Sequence, residues 1–248
     1  TEAVNFMAIH GRGLVCVSLI NERADELDLS PMVSVNTASL GTAFTVSVDA
    51  KRNVTTGISA GDRAETIRQL VDPETKPFDL ARPGHIFPLR AKEGGVLVRA
   101  GQTEGSVDLS RLAGLSPAGV ICEIMSPDGT MSRVPELREF ARTHDLKLVT
   151  IQALVEYRMR RESLIKRISE TTVPTRFGTF NVKTYRGTIR GEIYLAFILG
   201  DPRPEDNVLV RVHSQCLTGD VFGSFRCDCG SQLEAALEKI RDEGKGVL

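Results

Sequence analysis

The stretch GVLVRAGQTEGSVDLSRLAGLSPAGVICEI, residues 95–124, decides the class of fold. Its apolar run Gly95–Arg99 predicts a strand, the turn RAGQTEG follows, and residues from about Ser106 to Leu115 predict a helix. Ala118–Ile124, AGVICEI, is again an apolar strand, with one carboxylate, Glu123, near its end. Downstream, Pro135 suits the first turn of a helix running to His144, and Lys147–Ile151 predicts another strand. Upstream, Glu2–His10 predicts a short amphipathic helix closed by Gly11 or Gly13, before a strand at Leu14–Ile20. Thr42–Asp49 alternates, with Phe44, Val46 and Val48 on one face and Thr45 and Ser47 on the other, as a half-buried strand does. Ser59, with Asp62 three residues on, caps a helix to about Leu70. Residues 72–95 hold four of the eleven prolines and predict a long loop, ordered by Phe78, Ile86, Phe87 and Leu89. Helices alternating with strands imply an α/β (α+β) domain of layered α-β-α type ending near Tyr157.

Beyond it the character changes. Tyr157–Arg167 is charged and predicts a solvated connecting helix. Turn residues follow, then β-prone segments at Tyr194–Leu199 and Val208–Val212, and a last helix capped by Ser231 and running to about Glu243. The expected division is a domain over 1–163, a linker over 164–171 and a second domain over 172–248. Both ends look cut: TEAVNFMAIHG reads as a helix already under way, and the chain stops as an apolar strand begins.

A length of 248 residues suits one large domain or two modest ones, and 41% apolar residues suffice for a core. A formal net charge of −1 gives no electrostatic case for nucleic acid or a membrane surface. No apolar run is long enough to span a bilayer. Five unevenly spaced cysteines and no visible signal peptide point to a reduced, intracellular protein.

The plainest chemistry lies in HSQCLTGDVFGSFRCDCGSQL, residues 213–233. Cys216, Cys227 and Cys229 fall within fourteen residues, and the last two are too close to pair comfortably as a disulfide. Three thiolates can hold a tetrahedral zinc and leave its fourth position to water; a structural knuckle with His213 or Asp228 as fourth ligand is the alternative. Arg211 and His213 alternate onto one face of the preceding strand, and Gln232 at a helix start can bond a base edge or an anion. Cys16 and Cys122 sit in apolar runs and are most simply packing residues.

The first domain offers three scattered candidates. Arg82-Pro83-Gly84-His85 puts a histidine on a stiff loop, where it can act as acid or base. Arg99 to Thr103 combines a guanidinium, a hydroxyl and backbone amides before a helix, a plausible phosphate cradle. Partial burial of Glu123 would make it a base. The histidine and Glu123 also have plainer readings, as an exposed loop residue and a strand-end charge.

GISAGDRAETI, RPGHIFPLRAKEGGVLVRAGQTE, VDLSRLAGLSPAGVICEI and DGTMSR together resemble the motif series of dihydroxybutanone phosphate synthases. The resemblance implies conversion of ribulose 5-phosphate to 3,4-dihydroxy-2-butanone 4-phosphate and formate, with Mg2+ or Mn2+. It implies His85 and Glu123 as the catalytic pair, Arg99 and Thr103 as phosphate contacts, and Cys16 beside the site. The family's turn reads G-H-T-E, and its histidine binds the metal. Gln102 stands there instead, so the synthase activity is expected to be weak or lost, with the fold retained.

RVHSQCLTGDVFGSFRCDCGSQLEAAL, with VPTRFGTF before it, resembles GTP cyclohydrolase II. This implies Cys216, Cys227 and Cys229 as ligands of Zn2+, and Arg211, Val212, His213, Ser214, Gln215 and Gln232 as GTP contacts. The family often has glutamate at Gln215, and its phosphate loop, acid/base Asp and nucleophilic Arg are expected beyond Leu248. The tandem order resembles the bifunctional riboflavin-biosynthesis enzymes of bacteria and plant plastids. A homodimer in the cytoplasm or the plastid stroma is therefore expected, acting on GTP and, if the synthase works, ribulose 5-phosphate. The alternative is a catalytically degenerate paralogue that serves as a zinc-containing scaffold.

Overall fold

The computed structural model describes residues 1–248, which form two compact units, Thr1–Glu162 and Ser163–Leu248. In the first unit, α1 (Glu2–Phe6) runs into a wider turn over Met7–Gly11 and leads to β1 (Cys16–Leu19). Then come α2 (Asn21–Glu26), β2 (Val48–Ala50), α3 (Ala60–Val71), β3 (Leu80–Arg90), α4 (Gln102–Leu112), β4 (Ala118–Ile121), α5 (Val134–Thr143) and α6 (Ile151–Arg161). The sheet order is β2-β3-β1-β4, with β1 parallel to β3 and the other pairs antiparallel.

All four residues of β1 are buried, as befits a strand covered on both faces. Val15, Val17 and Leu19 point one way, into a core with Ala24, Leu27, Leu29, Leu70 and Ile86. Helix α3 closes that side, and Ser59 caps it by accepting the Asp62 N–H at 3.0 Å. On the opposite side α4 packs against β4 so closely that a Cβ on Gly119 would come within 2.5 Å of Ser106.

The largest departure from expectation is residues 72–95, which are no long loop. Leu80–Arg90 is the longest strand of the sheet. Its prolines and glycine hid it, and the register explains how they are tolerated: Val48 pairs with Ile86, but Asp49 pairs with Ala81. Arg82-Pro83-Gly84-His85 therefore bulges out of the ladder. Gly84 meets the Val48 backbone so closely that no side chain fits there.

Other boundaries also move. Gly95–Leu97 is a 3-10 turn instead of a strand, because Asp108 takes the Val96 N–H at 2.8 Å and buries that turn. Helix α4 starts at Gln102, ahead of the expected Ser106. Lys147–Ile151 forms no strand; Thr150 caps α6 by accepting the Ala153 N–H at 3.1 Å. The predicted connecting helix ends at Arg161, and far from being solvated throughout it buries Arg158 against Asp108 at 2.7 Å. Of Thr42–Asp49 only the end enters β2, with isolated bridges at Phe44 and Thr45.

The second unit is a five-stranded sheet, β5 (Ile165–Thr175), β6 (Gly178–Gly187), β7 (Ile193–Leu199), β8 (Leu209–Val210) and β9 (Gly246–Val247), in the order β5-β6-β7-β9-β8. Residues 164–171, expected as a linker, lie largely within β5. Phe177, Phe180, Val182 and Ile240 form its core. Strands β8 and β9 are parallel, so the chain between them must cross over; that crossover is the cysteine loop followed by α7 (Cys229–Glu243). The loop therefore lies between the carboxyl end of β8 and the amino end of a helix, where α/β folds commonly bind ligands. Asp228, not Ser231, is the N-cap residue of α7.

Candidate functional site

In the first unit the β3 bulge delivers His85 to Asp49. The His85 N–H donates to Asp49 Oδ1 at 2.8 Å, and its ring Nδ1 lies 2.7 Å from Oδ2. A carboxylate only accepts, so the neutral imidazole carries its proton on Nδ1 and keeps Nε2 free as a base. Gly57, at φ +89°, packs against the pair; a Cβ there would lie 2.6 Å from Nδ1 and overlap the carboxylate. Asp62 holds that glycine in place, taking the Gly57 N–H at 3.0 Å and the Thr55 hydroxyl at 2.7 Å. The Thr55 hydroxyl, ahead of the backbone donors, keeps the Asp62 carboxyl below the usual range.

Glu123 is exposed instead of partly buried, and Leu14 N–H donates to its Oε2 at 2.9 Å. Cys16 pairs with Phe87 on one side and Ile121 on the other. His85 and Glu123 each lie two residues beyond that row, toward the same end of the sheet. Burial, followed by the charge of Glu123, pushes the Cys16 thiol up to about 12. The thiol is thus a protonated, inert neighbour of Glu123 at neutral pH.

Arg99 lies in the turn before α4. It donates to Glu104 Oε2 at 2.6 Å and to the Leu40 carbonyl at 3.1 Å, with guanidinium donors left over for an anion. Glu104 is 1% exposed and also takes the Lys92 N–H at 3.0 Å. Thr103 is buried in the first turn of α4, next to exposed Gln102. No hydrogen bond or ion pair joins Arg99 or Thr103 to His85 or Glu123. Gln102 opens α4, and no group of three converging His, Cys, Asp or Glu ligand atoms lies in this unit.

In the second unit the ligand atoms of Cys216, Cys227 and Cys229 lie within 4.8 Å of one another, the one convergent set of three metal-capable side chains in the chain. Cys216 and Cys227 sulfurs are 3.8 Å apart. Gly219 makes room for them: a Cβ there would sit 2.8 Å from the Cys227 sulfur and 3.0 Å from Cys229 Cβ. The Thr218 hydroxyl, then the Gly219 amide and the neighbouring thiols, draw Cys216 down to about 7. Those neighbouring thiols hold Cys229 up at about 12. The Cys216 thiolate forms easily and that of Cys229 only against its neighbours, unless a cation neutralises them. A soft trithiolate set of this kind fits zinc.

The candidate fourth ligands are engaged elsewhere. His213 Nε2 is 3.0 Å from Asp220 Oδ2, which also takes the Cys216 N–H at 2.8 Å. Asp228 accepts from Gln232 at 2.6 Å, and Gln232 accepts from Arg211 at 2.8 Å. Arg211, expected on a strand, lies just past the end of β8. Val212, Ser214 and Gln215 are exposed. Sequence reasoning missed Asp49, Gly57, Glu104, Gly219 and Asp220. Only Asp220 carried a signal, a carboxylate four residues after a candidate ligand.

Comparison with known proteins gives two family matches. The model of 3,4-dihydroxy-2-butanone 4-phosphate synthase matches residues 1–157, and that of GTP cyclohydrolase II matches residues 166–248. The chain is 59% identical to "Riboflavin biosynthesis protein RibBA" of Aquifex aeolicus, over 100% of its own length and 61% of that protein's. It thus spans under two thirds of that relative. A solved structure, "RibBX, a two domain 3,4-dihydroxy-2-butanone 4-phosphate synthase from A. baumannii", is 40% identical with a TM-score of 0.76, over 98% of this chain and 76% of that one. A 3,4-dihydroxy-2-butanone 4-phosphate synthase solved with two magnesium ions is 44% identical with a TM-score of 0.61, over 64% of this chain and 80% of that one.

Proposed function

The chain belongs to the 3,4-dihydroxy-2-butanone 4-phosphate synthase family over residues 1–157, and on that premise we propose that it is part of a two-domain riboflavin-biosynthesis enzyme whose working activity is GTP cyclohydrolase II. The observation that carries this is the thiol cluster, three ligand atoms within 4.8 Å on the crossover loop. Zinc held there would supply a water acidic enough to serve as a nucleophile near neutral pH. Cys216, Cys227 and Cys229 hold the ion. Arg211 and Gln232, already bonded to each other, present donors to the nucleotide, and His213 to Gln215 form the adjoining wall. The overall reaction opens the imidazole ring of GTP and releases formate and pyrophosphate.

In the first unit His85 Nε2 is the base for ribulose 5-phosphate, Glu123 is its partner, and Arg99 and Thr103 take the phosphate. Gln102 leaves the magnesium or manganese position without its imidazole, so this activity is weak or lost. A homodimer goes with membership of the synthase family. No helix is long and apolar enough to cross a membrane. The bacterial source of the Aquifex relative favours the cytoplasm. Zinc analysis and GTP turnover of the full-length protein test the proposal. One tightly held zinc and steady formate release are expected; a zinc-loaded protein that leaves GTP intact would favour the scaffold alternative.

A further inference from the structure

The structure assigns Asp220 as the positioning residue of the thiol cluster: one carboxylate oxygen orients both the Cys216 backbone and the His213 ring. Its Oδ2 accepts the Cys216 N–H at 2.8 Å and faces His213 Nε2 at 3.0 Å. Both side chains are nearly buried, His213 at 12% exposed and Asp220 at 10%, so water competes little for these bonds. The other oxygen, Oδ1, is buried and has no partner, leaving the carboxylate with capacity for one more donor. An ionised carboxylate is acceptor-only, so the neutral His213 ring carries its proton on Nε2 and leaves Nδ1 as the free acceptor.

Two consequences follow from this geometry. The Cys216 backbone, and with it the thiol, is fixed relative to Cys227 and Cys229 before any ion arrives. Asp220 also occupies Nε2 of His213, so the only ring nitrogen that His213 can turn toward a cation is Nδ1. This role of Asp220 rests on the assignment of the three cysteines as a zinc site.

The test uses the full-length protein loaded with zinc or with cobalt(II), in wild type, Asp220→Ala and Asp220→Asn. Circular dichroism and thermal melting establish that each variant is folded. Chelator-driven zinc release, the cobalt–thiolate absorption bands and the nitrogen-15 shifts of the His213 ring are then read. Asp220→Ala is expected to release zinc about 10-fold faster or more, the usual scale for a lost outer-shell partner. It should also perturb the cobalt bands and lose the Nε2–H preference of His213, with Asp220→Asn between the two. Wild-type release rates, bands and tautomer in Asp220→Ala would overturn the positioning role while leaving the zinc site standing. Absence of cobalt–thiolate bands in wild type would overturn the zinc site itself, and the positioning role with it.

Discussion

Each unit contains a histidine held by an aspartate, and the two are wired in opposite senses. Asp49 grips His85 through Nδ1 at 2.7 Å and leaves Nε2 free; Asp220 grips His213 through Nε2 at 3.0 Å and leaves Nδ1 free. The His85 side chain is 42% exposed and the His213 side chain 12%. The surroundings differ more. His213 belongs to the unit with three convergent thiols, whereas no such set of three ligand atoms lies in the unit of His85. An oriented histidine beside a complete ligand set is a site ready to bind.

The comparison breaks most sharply at the thiols. Cys216→Ser should lose metal retention and reduce GTP turnover to background, while the His85 region of a nitrogen-15 spectrum stays unchanged; a variant that keeps its zinc would remove the basis of the contrast. In the first unit the informative change is a restoration. Gln102→His should raise magnesium-dependent formate release from ribulose 5-phosphate by about 10–100-fold, the scale of a restored metal interaction. No rise would mean that the weakness lies elsewhere.

Acid sharpens the contrast through the thiols. Cys216 sits at about 7, so it is a thiolate above that pH and is protonated as pH falls through it. Zinc must displace the Cys229 proton throughout this range and the Cys216 proton as well below about 7, so affinity should fall as pH drops, by about tenfold per unit for each competing proton and most steeply below 7. Flat affinity between pH 8 and 5.5 would contradict the assignment. The smallest effect is expected at Gly57→Ala. Left-handed backbone costs an L-residue about 1–2 kcal/mol, and the new methyl displaces Asp49 from His85. Thermal melting should register the loss, and the His85 ring shifts should move without any change at His213.

The second site was legible because its parts are close in sequence. Cys216 to Gln232 is a single crossover loop, so spacing alone brings the ligands together. The first site is assembled from a strand end, a bulge, a glycine turn and a helix start. Asp49 meets His85 across thirty-six residues, and no local pattern announces that contact. The strand carrying His85 was itself disguised. Pro83 and Gly84 read as loop residues, and only the register shift between Val48 and Asp49 shows how a sheet accommodates them. Val96 and Leu97 misled in the other direction: an apolar run looked like a strand, but Asp108 folds it into a turn.

The most direct test measures formate released by the full-length, metal-loaded protein from GTP and, separately, from ribulose 5-phosphate. The account predicts steady release from GTP that a chelator abolishes and zinc restores, with release from ribulose 5-phosphate a small fraction of it. Vigorous release from ribulose 5-phosphate with GTP left intact would contradict it.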